Sequence, residues 1–126
     1  MTETVPPTIA VALVAEDEAL LRMEAADTLA DAGFTVLEMA TADAALRYLE
    51  ERDGVDLLFT DVHMPGRLDG LALAREVARR WPRIAIVVCS GVTRPGPGDL
   101  PPGARFIDKP YSPELVRRVL DGLRIA

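Results

Sequence analysis

VDLLFTDVHMPG, residues 55–66, decides the fold. From Val55 to Thr60 it is a nearly unbroken apolar run, which suits a central strand of a parallel sheet covered on both faces, where no alternate residue has to meet water. The run stops on Asp61, and Pro65 and Gly66 then turn the chain, so the carboxylate is expected in the mouth of the sheet and not in its core. Two more runs of this kind lie at Thr8 to Ala15 and Arg83 to Cys89, containing IAVALVA and IAIVVC. Shorter runs at Phe34 to Met39 and Ala104 to Ile107 bring the predicted strands to five.

Helical signals lie between them. Asp17 is placed as the N-cap of a first helix with Leu20, Ala25, Leu29 and Ala32 on one face and Gly33 as its stop. Thr41 caps a second, with Ala42, Leu46 and Leu49 inward. Asp69 caps a third, carrying Leu73, Val77 and Trp81 toward the sheet and ending before Pro82. Ser112, followed by Pro113, opens the last, with Leu115, Val119 and Leu123 on its buried face. Between Ser90 and Ala104 four prolines and four glycines exclude a regular helix, because proline removes backbone donors and glycine costs about 1 kcal/mol per helical site. The alternation predicts a three-layer, flavodoxin-like, doubly wound α/β domain. Its five parallel strands are expected in the order 2-1-3-4-5, with the fourth helix short or missing.

Composition narrows the function classes. The chain has 126 residues, 49% of them apolar, which is one ordinary domain with its own core. Residues 1–7 carry neither the basic start nor the apolar core of a signal peptide and are expected as a flexible tail before a domain spanning 8–126. No apolar run approaches membrane-spanning length, so no membrane partner is expected. A net charge of -6, without a basic stripe, argues against nucleic acid. Cys89 is the one cysteine, which excludes a disulfide within the chain and fits a small core residue in a reducing, cytoplasmic setting.

Open parallel sheets bind ligands beyond the carboxyl ends of their strands. Glu16 and Asp17 close the first run, Asp61 the third, Ser90 follows the fourth and Lys109 the fifth, so three carboxylates, a hydroxyl and an ammonium are expected at one edge. Crowded carboxylates repel unless a cation relieves them, and a few hard oxygen ligands favour Mg2+. With that ion and a nearby lysine neutralising charge, a carboxylate can attack a phosphoryl group, and Asp61 is the best-placed nucleophile.

Four segments, VAEDE, TDVHMPG, VVCSG and FIDKPY, together resemble the receiver domain of bacterial two-component response regulators, and the likeness runs from Ile9 to Leu123. It implies that Glu16 and Asp17 hold Mg2+, Asp17 directly. Asp61 would also be a ligand, and His63 would contribute its backbone carbonyl. It implies that Asp61 accepts a phosphoryl group from a sensor histidine kinase or histidine phosphotransferase. Ser90 and Lys109 would each bond a phosphoryl oxygen, Phe106 would act with Ser90 as the switch pair, and the Lys109–Pro110 peptide would be cis. The His63 side chain is read as an exposed loop imidazole. With no DNA-binding output domain expected, signalling would pass to an unknown downstream protein by binding or by phosphoryl relay. Two departures stand out. MPGRLDG is one residue longer than the commoner MPxxDG loop, which is expected to shift Asp69 and Gly70, and the Pro/Gly segment should remodel the usual signalling face.

Rival readings fit less well. An aspartyl-nucleophile phosphatase of the dehalogenase type would have an acid two residues after its nucleophile, where this chain has His63. A flavin or nucleotide carrier would have a phosphate cradle after its first strand in place of Glu16 and Asp17. A pseudo-receiver that only binds partners would have no need of Asp17, Asp61 and Lys109 together.

Overall fold

The protein is described by a computed structural model covering residues 10–92, 94–96 and 98–123. The predicted tail over 1–7, with residues 8 and 9 of the first predicted strand, lies outside the described residues. The chain order is β1 (Val11–Ala15), α1 (Ala19–Asp31), β2 (Thr35–Met39), α2 (Ala42–Glu51) and β3 (Leu57–Asp61). It continues with α3 (Gly70–Arg80), β4 (Ala85–Ser90), β5 (Arg105–Asp108) and α4 (Pro113–Asp121). All pairings are parallel, and the sheet order is β2-β1-β3-β4-β5, the predicted three-layer architecture.

The strand sequences explain the layers. Successive side chains of a strand face opposite ways, so a strand covered on both sides must be apolar throughout. Leu13, Ala15, Leu58, Ile86 and Val88 face α2 and α3, against Ala45, Leu49, Leu73 and Val77. Their neighbours Ala12, Val14, Leu57, Phe59 and Val87 face α1 and α4, against Ala25, Leu29, Val116 and Leu120. The edge strand β2 has no fully buried residue, with Thr35 and Glu38 exposed and Val36, Leu37 and Met39 half-buried.

Three helix predictions hold at their caps. Thr41, Asp69 and Ser112 accept the amides of Ala44, Ala72 and Leu115 at 3.0, 2.8 and 3.1 Å. The first helix differs: its N-cap is Glu18, with no side-chain cap bond, so Asp17 is left outside the helix. Leu20 is 62% exposed, because at about 100° per residue it lies roughly 140° round the helix from Ala25 and cannot share its face. In α4 the fully buried residues are Val116 and Leu120, while Leu115, Val119 and Leu123 flank them half-buried. All five strands begin later than predicted, and β3, β4 and β5 each run one residue further, so Asp61 and Ser90 are the last residues of their strands.

No helix occurs between β4 and β5 among the described residues. The crossover is held by side chains instead. Arg75 Nε of α3 donates to the Asp99 carbonyl at 3.1 Å, the Asp99 carboxylate accepts the Gly96 amide at 2.6 Å, and Leu100 packs on the core. Among the described residues no helix is long and apolar enough to cross a membrane.

One close approach ties α3 to the carboxyl edge. The Gly70 amide donates to the Val62 carbonyl at 2.7 Å, and a Cβ on Gly70 would overlap the Asp61 carbonyl oxygen. Gly70→Ala must push α3 away from β3, and overpacking of this kind costs about 1–3 kcal/mol. A urea-denaturation midpoint equal to wild type would contradict that tight approach.

Candidate functional site

Strands of one parallel sheet end on one side, and the turns after β1, β3, β4 and β5 therefore share an edge. Glu16, one residue past β1, has its amide bonded to the Met39 carbonyl at 3.0 Å. Its side chain turns inward and is only 5% exposed. Asp17 beside it is exposed, and Asp61 at the end of β3 is 9% exposed. These three carboxylates each offer an oxygen within 4.8 Å of the others. Asp17 is thus a member of the acidic cluster and not a cap.

Lys109 completes the group. Its Nζ lies 2.7 Å from Glu16 Oε1 and 3.4 Å from Asp61 Oδ2, with 17% of the side chain exposed. It is the only lysine in the chain, the other thirteen basic residues being arginine. The remaining carboxylate oxygens have main-chain partners. Glu16 Oε2 accepts the Glu18 amide at 3.1 Å and Asp61 Oδ1 accepts the Val62 amide at 2.8 Å.

Burial governs the electrostatics. It raises the Glu16 pKa by disfavouring the carboxylate, and the Asp61 charge adds to this; bonds from Lys109 and the Glu18 amide offset it in part. For Lys109 burial acts downward, but the Glu16 bond and the Asp61 charge outweigh it, and the ammonium stays protonated beyond the usual lysine range. Burial pushes the Cys89 thiol up to about 12, which fits the small core residue expected at that position.

The flanking residues fall where the strand ends put them. Ser90 is 2% exposed, and its Oγ accepts the Val92 amide at 3.2 Å. Its carbonyl accepts the Lys109 amide at 3.0 Å, which docks the turn after β5 against β4. Phe106 is half-buried, with the Arg94 guanidinium 5.7 Å from its ring centre, and Arg94 also pairs with Asp108 at 2.6 Å. The Lys109–Pro110 peptide is cis. His63 is exposed, two residues beyond Asp61. The structure therefore brings Lys109 against Glu16 and Asp61 and gathers Asp17 with those two acids, with Ser90 beside Lys109 through the backbone and Phe106 on β5.

Two supporting residues were not legible in the sequence. Asp43, at the start of α2, accepts the Arg67 amide at 3.0 Å and packs against Gly66. It anchors the longer loop after β3, so Asp69 still caps α3 and Gly70 still begins it. Arg22 of α1 donates to the Glu16 carbonyl at 2.9 Å. Each reads in sequence as a solvated helix charge. A cleft of about 520 Å³ lined by Arg52, Trp81 and Arg83 lies at the opposite, amino edge of the sheet, away from this cluster.

A doubly wound parallel sheet with buried acids and one lysine at its carboxyl edge defines an open α/β domain whose ligand edge lies at its strand ends. The response regulator receiver domain family matches residues 12–120, and the chain belongs to that family. It is 37% identical over 107 residues to the sensor kinase CckA of Brucella abortus, covering 82% of this chain and 11% of CckA. It is 30% identical over 114 residues to the chemotaxis protein CheY of Thermotoga maritima, covering 86% of this chain and 92% of CheY. The chain thus spans about a tenth of CckA, and the match to the transcriptional regulator PdtaR of Mycobacterium tuberculosis covers 36% of that protein. Among solved structures, a response regulator receiver protein from Sinorhizobium medicae aligns with a TM-score of 0.83 and 25% identity, covering 91% of this chain and 94% of that one. The receiver domain of the hybrid histidine kinase CckA aligns with a TM-score of 0.74 and 33% identity, over 91% of this chain and all of that one. Receiver domains are signalling modules, use Mg2+ at an acidic pocket and interact with histidine kinases or phosphotransfer proteins.

Because Lys109 is the sole lysine, its titration can be read without ambiguity. The contribution of a cation with a raised pKa is complete below the unfolded value and is lost as pH rises through the folded one. An isotope-labelled lysine side chain should give a single NMR signal with its midpoint above the ordinary lysine value. Glu16→Gln should lower that midpoint, because it removes a carboxylate charge that helps to offset burial. A midpoint unchanged by Glu16→Gln would contradict the pairing.

Proposed function

We propose that this protein is a phosphoacceptor of a two-component or phosphorelay system, in which Asp61 takes a phosphoryl group from the phosphohistidine of a sensor histidine kinase or histidine phosphotransferase. The observation that carries this reading is the position of Lys109 Nζ, 2.7 Å from Glu16 and 3.4 Å from Asp61. An ammonium held there is placed to meet charge that develops on a group transferred to Asp61.

Asp61 Oδ1 is engaged by the Val62 amide, so Oδ2, on the Lys109 side, is the attacking atom. The new O–P bond forms as the P–N bond to the donor imidazole breaks, and the released nitrogen takes a proton from solvent. Lys109 shifts from Glu16 toward a phosphoryl oxygen, and Ser90 donates its hydroxyl to another. Oxygen donors on three crowded acids fit a hard divalent cation. Asp17, Asp61 and the His63 carbonyl would hold Mg2+, with Glu16 adjoining. Bound there, the ion neutralises charge on the phosphoryl oxygens. The expected chemistry is self-phosphorylation from a donor and self-dephosphorylation, without turnover of an external substrate.

The readout follows from Ser90. Its turn toward the phosphoryl group gives up the Val92 amide, and Phe106 moves in from beneath Arg94. The crossover after Ser90 shifts toward a second arrangement, a local charge change with a remote effect. A downstream protein reads that change, or the phosphoryl group passes along a relay. A cytoplasmic location, a domain over 8–126 after a tail at 1–7, and no nucleic-acid or membrane partner belong to the same reading.

Incubation with Mg2+ and a small phosphodonor, followed by intact mass, should add one phosphoryl group to wild type and none to Asp61→Asn. Equal modification of both proteins would refute the acceptor. Failure to modify wild type, with partner binding intact, would favour an interaction module that works without phosphorylation. Sustained hydrolysis of a simple phosphate ester would favour an aspartyl phosphatase.

Mg2+ at ten times its Kd should stabilise the fold by about 1.4 kcal/mol, since only the native state gathers the acids. Asp17→Asn should remove that increment. A Tm that does not respond to Mg2+ in wild type would remove the ion from this scheme.

A further inference from the structure

Arg22 is the one cation on α1, and it is not spent on solvent. Its side chain is only 22% exposed and reaches back along the helix. Nη1 donates to the Glu16 main-chain carbonyl at 2.9 Å, while Nε lies 3.6 Å from Glu38 Oε1 on β2. The guanidinium therefore bridges the turn after β1 and the neighbouring strand. The backbone of α1 supports it, since the Arg22 amide donates to the Glu18 carbonyl at 2.9 Å.

Each polar group of Glu16 now has a named partner. The amide is bonded to Met39, Oε2 to the Glu18 amide, Oε1 to Lys109, and the carbonyl to Arg22. Three of the four are main-chain or active-edge groups that come with the fold. The Arg22 contact alone depends on a side chain from outside the acidic edge. Asp17 follows directly and is exposed, so the direction of its carboxylate rests on how firmly residues 16–18 are held.

We propose that Arg22 is a positioning residue that clamps the Glu16–Glu18 turn from behind, presetting Asp17 for the divalent cation and Glu16 for Lys109. This deepens the proposed function and rests on its metal reading. Outer partners that fix metal ligands commonly account for 10–100-fold in affinity. A planar guanidinium suits this position because one donor meets the carbonyl while another faces Glu38 in a fixed fork, which an ammonium does not offer.

The test has two arms, measured on wild type, Arg22→Ala, Arg22→Lys and Glu38→Gln. Calorimetric titration with Mg2+ should show Kd raised about tenfold in Arg22→Ala, with Arg22→Lys and Glu38→Gln between that variant and wild type. Amide hydrogen exchange in the metal-free protein should quicken at Glu18 in Arg22→Ala and remain slow across β3. If Arg22→Ala does not fold, the Lys and Gln variants carry both arms. Unchanged Glu18 exchange, or a Kd equal to wild type despite a lowered Tm, would overturn the inference and leave Arg22 a merely structural residue. Wild type that takes up no Mg2+ would overturn the metal reading itself, and the exchange arm would then decide whether the clamp exists.

Discussion

One ammonium stands between two buried carboxylates, and much of the carboxyl edge is organised around it. Glu16 follows β1 and Asp61 ends the neighbouring β3, while Lys109 follows an edge strand separated from β1 by two others. At about 4.8 Å per strand that is roughly 14 Å between the backbones of β5 and β1, a gap that long side chains close. Two acids packed this near each other in a weakly polarisable setting repel strongly. The lysine makes their proximity tolerable, and it brings the group that follows β5 into register with those that follow β1 and β3.

The same arrangement shows why the backbone matters as much as the charges. Asp61 and Ser90 end their strands, so the sheet itself sets their positions, and hydrogen bonds from Val62, Glu18 and Lys109 amides fix the turns. The support then extends outward: Gly70 lets α3 approach β3, Asp43 holds the loop after β3, and Arg22 reaches the turn after β1. Acids that must meet a cation at short range are useful only if they hold still, and these contacts supply that stiffness.

The large features were legible in the sequence because they follow from short-range rules. Unbroken apolar runs marked the buried strands, Thr41, Asp69 and Ser112 marked their helices, and the strand-end polar residues marked the edge. What escaped depended on three-dimensional neighbours. The expectation that Leu20 shares a face with Ala25, Leu29 and Ala32 fails, because its angle round the helix turns it to solvent. Asp17 has the chemistry of a cap, but its environment is set by Glu16 and Asp61 rather than by the helix it precedes. Arg22 and Asp43 lie on helices where a charged residue ordinarily faces water, and no spacing within the sequence shows that their partners are Glu16 and Arg67.

The link between β4 and β5 has a different character from the rest of the sheet. A helix in that place would be committed to a pitch and a buried stripe, and each insertion would rotate everything beyond it. Here the described residues of the connection form no helix and are fastened at separate points by Arg75, Asp99 and Leu100. A connection of that kind has no helical pitch to carry a change of length from one fastening to the next. Remodelling of that surface is consequently uncoupled, in mechanical terms, from the acids and the lysine at the strand ends.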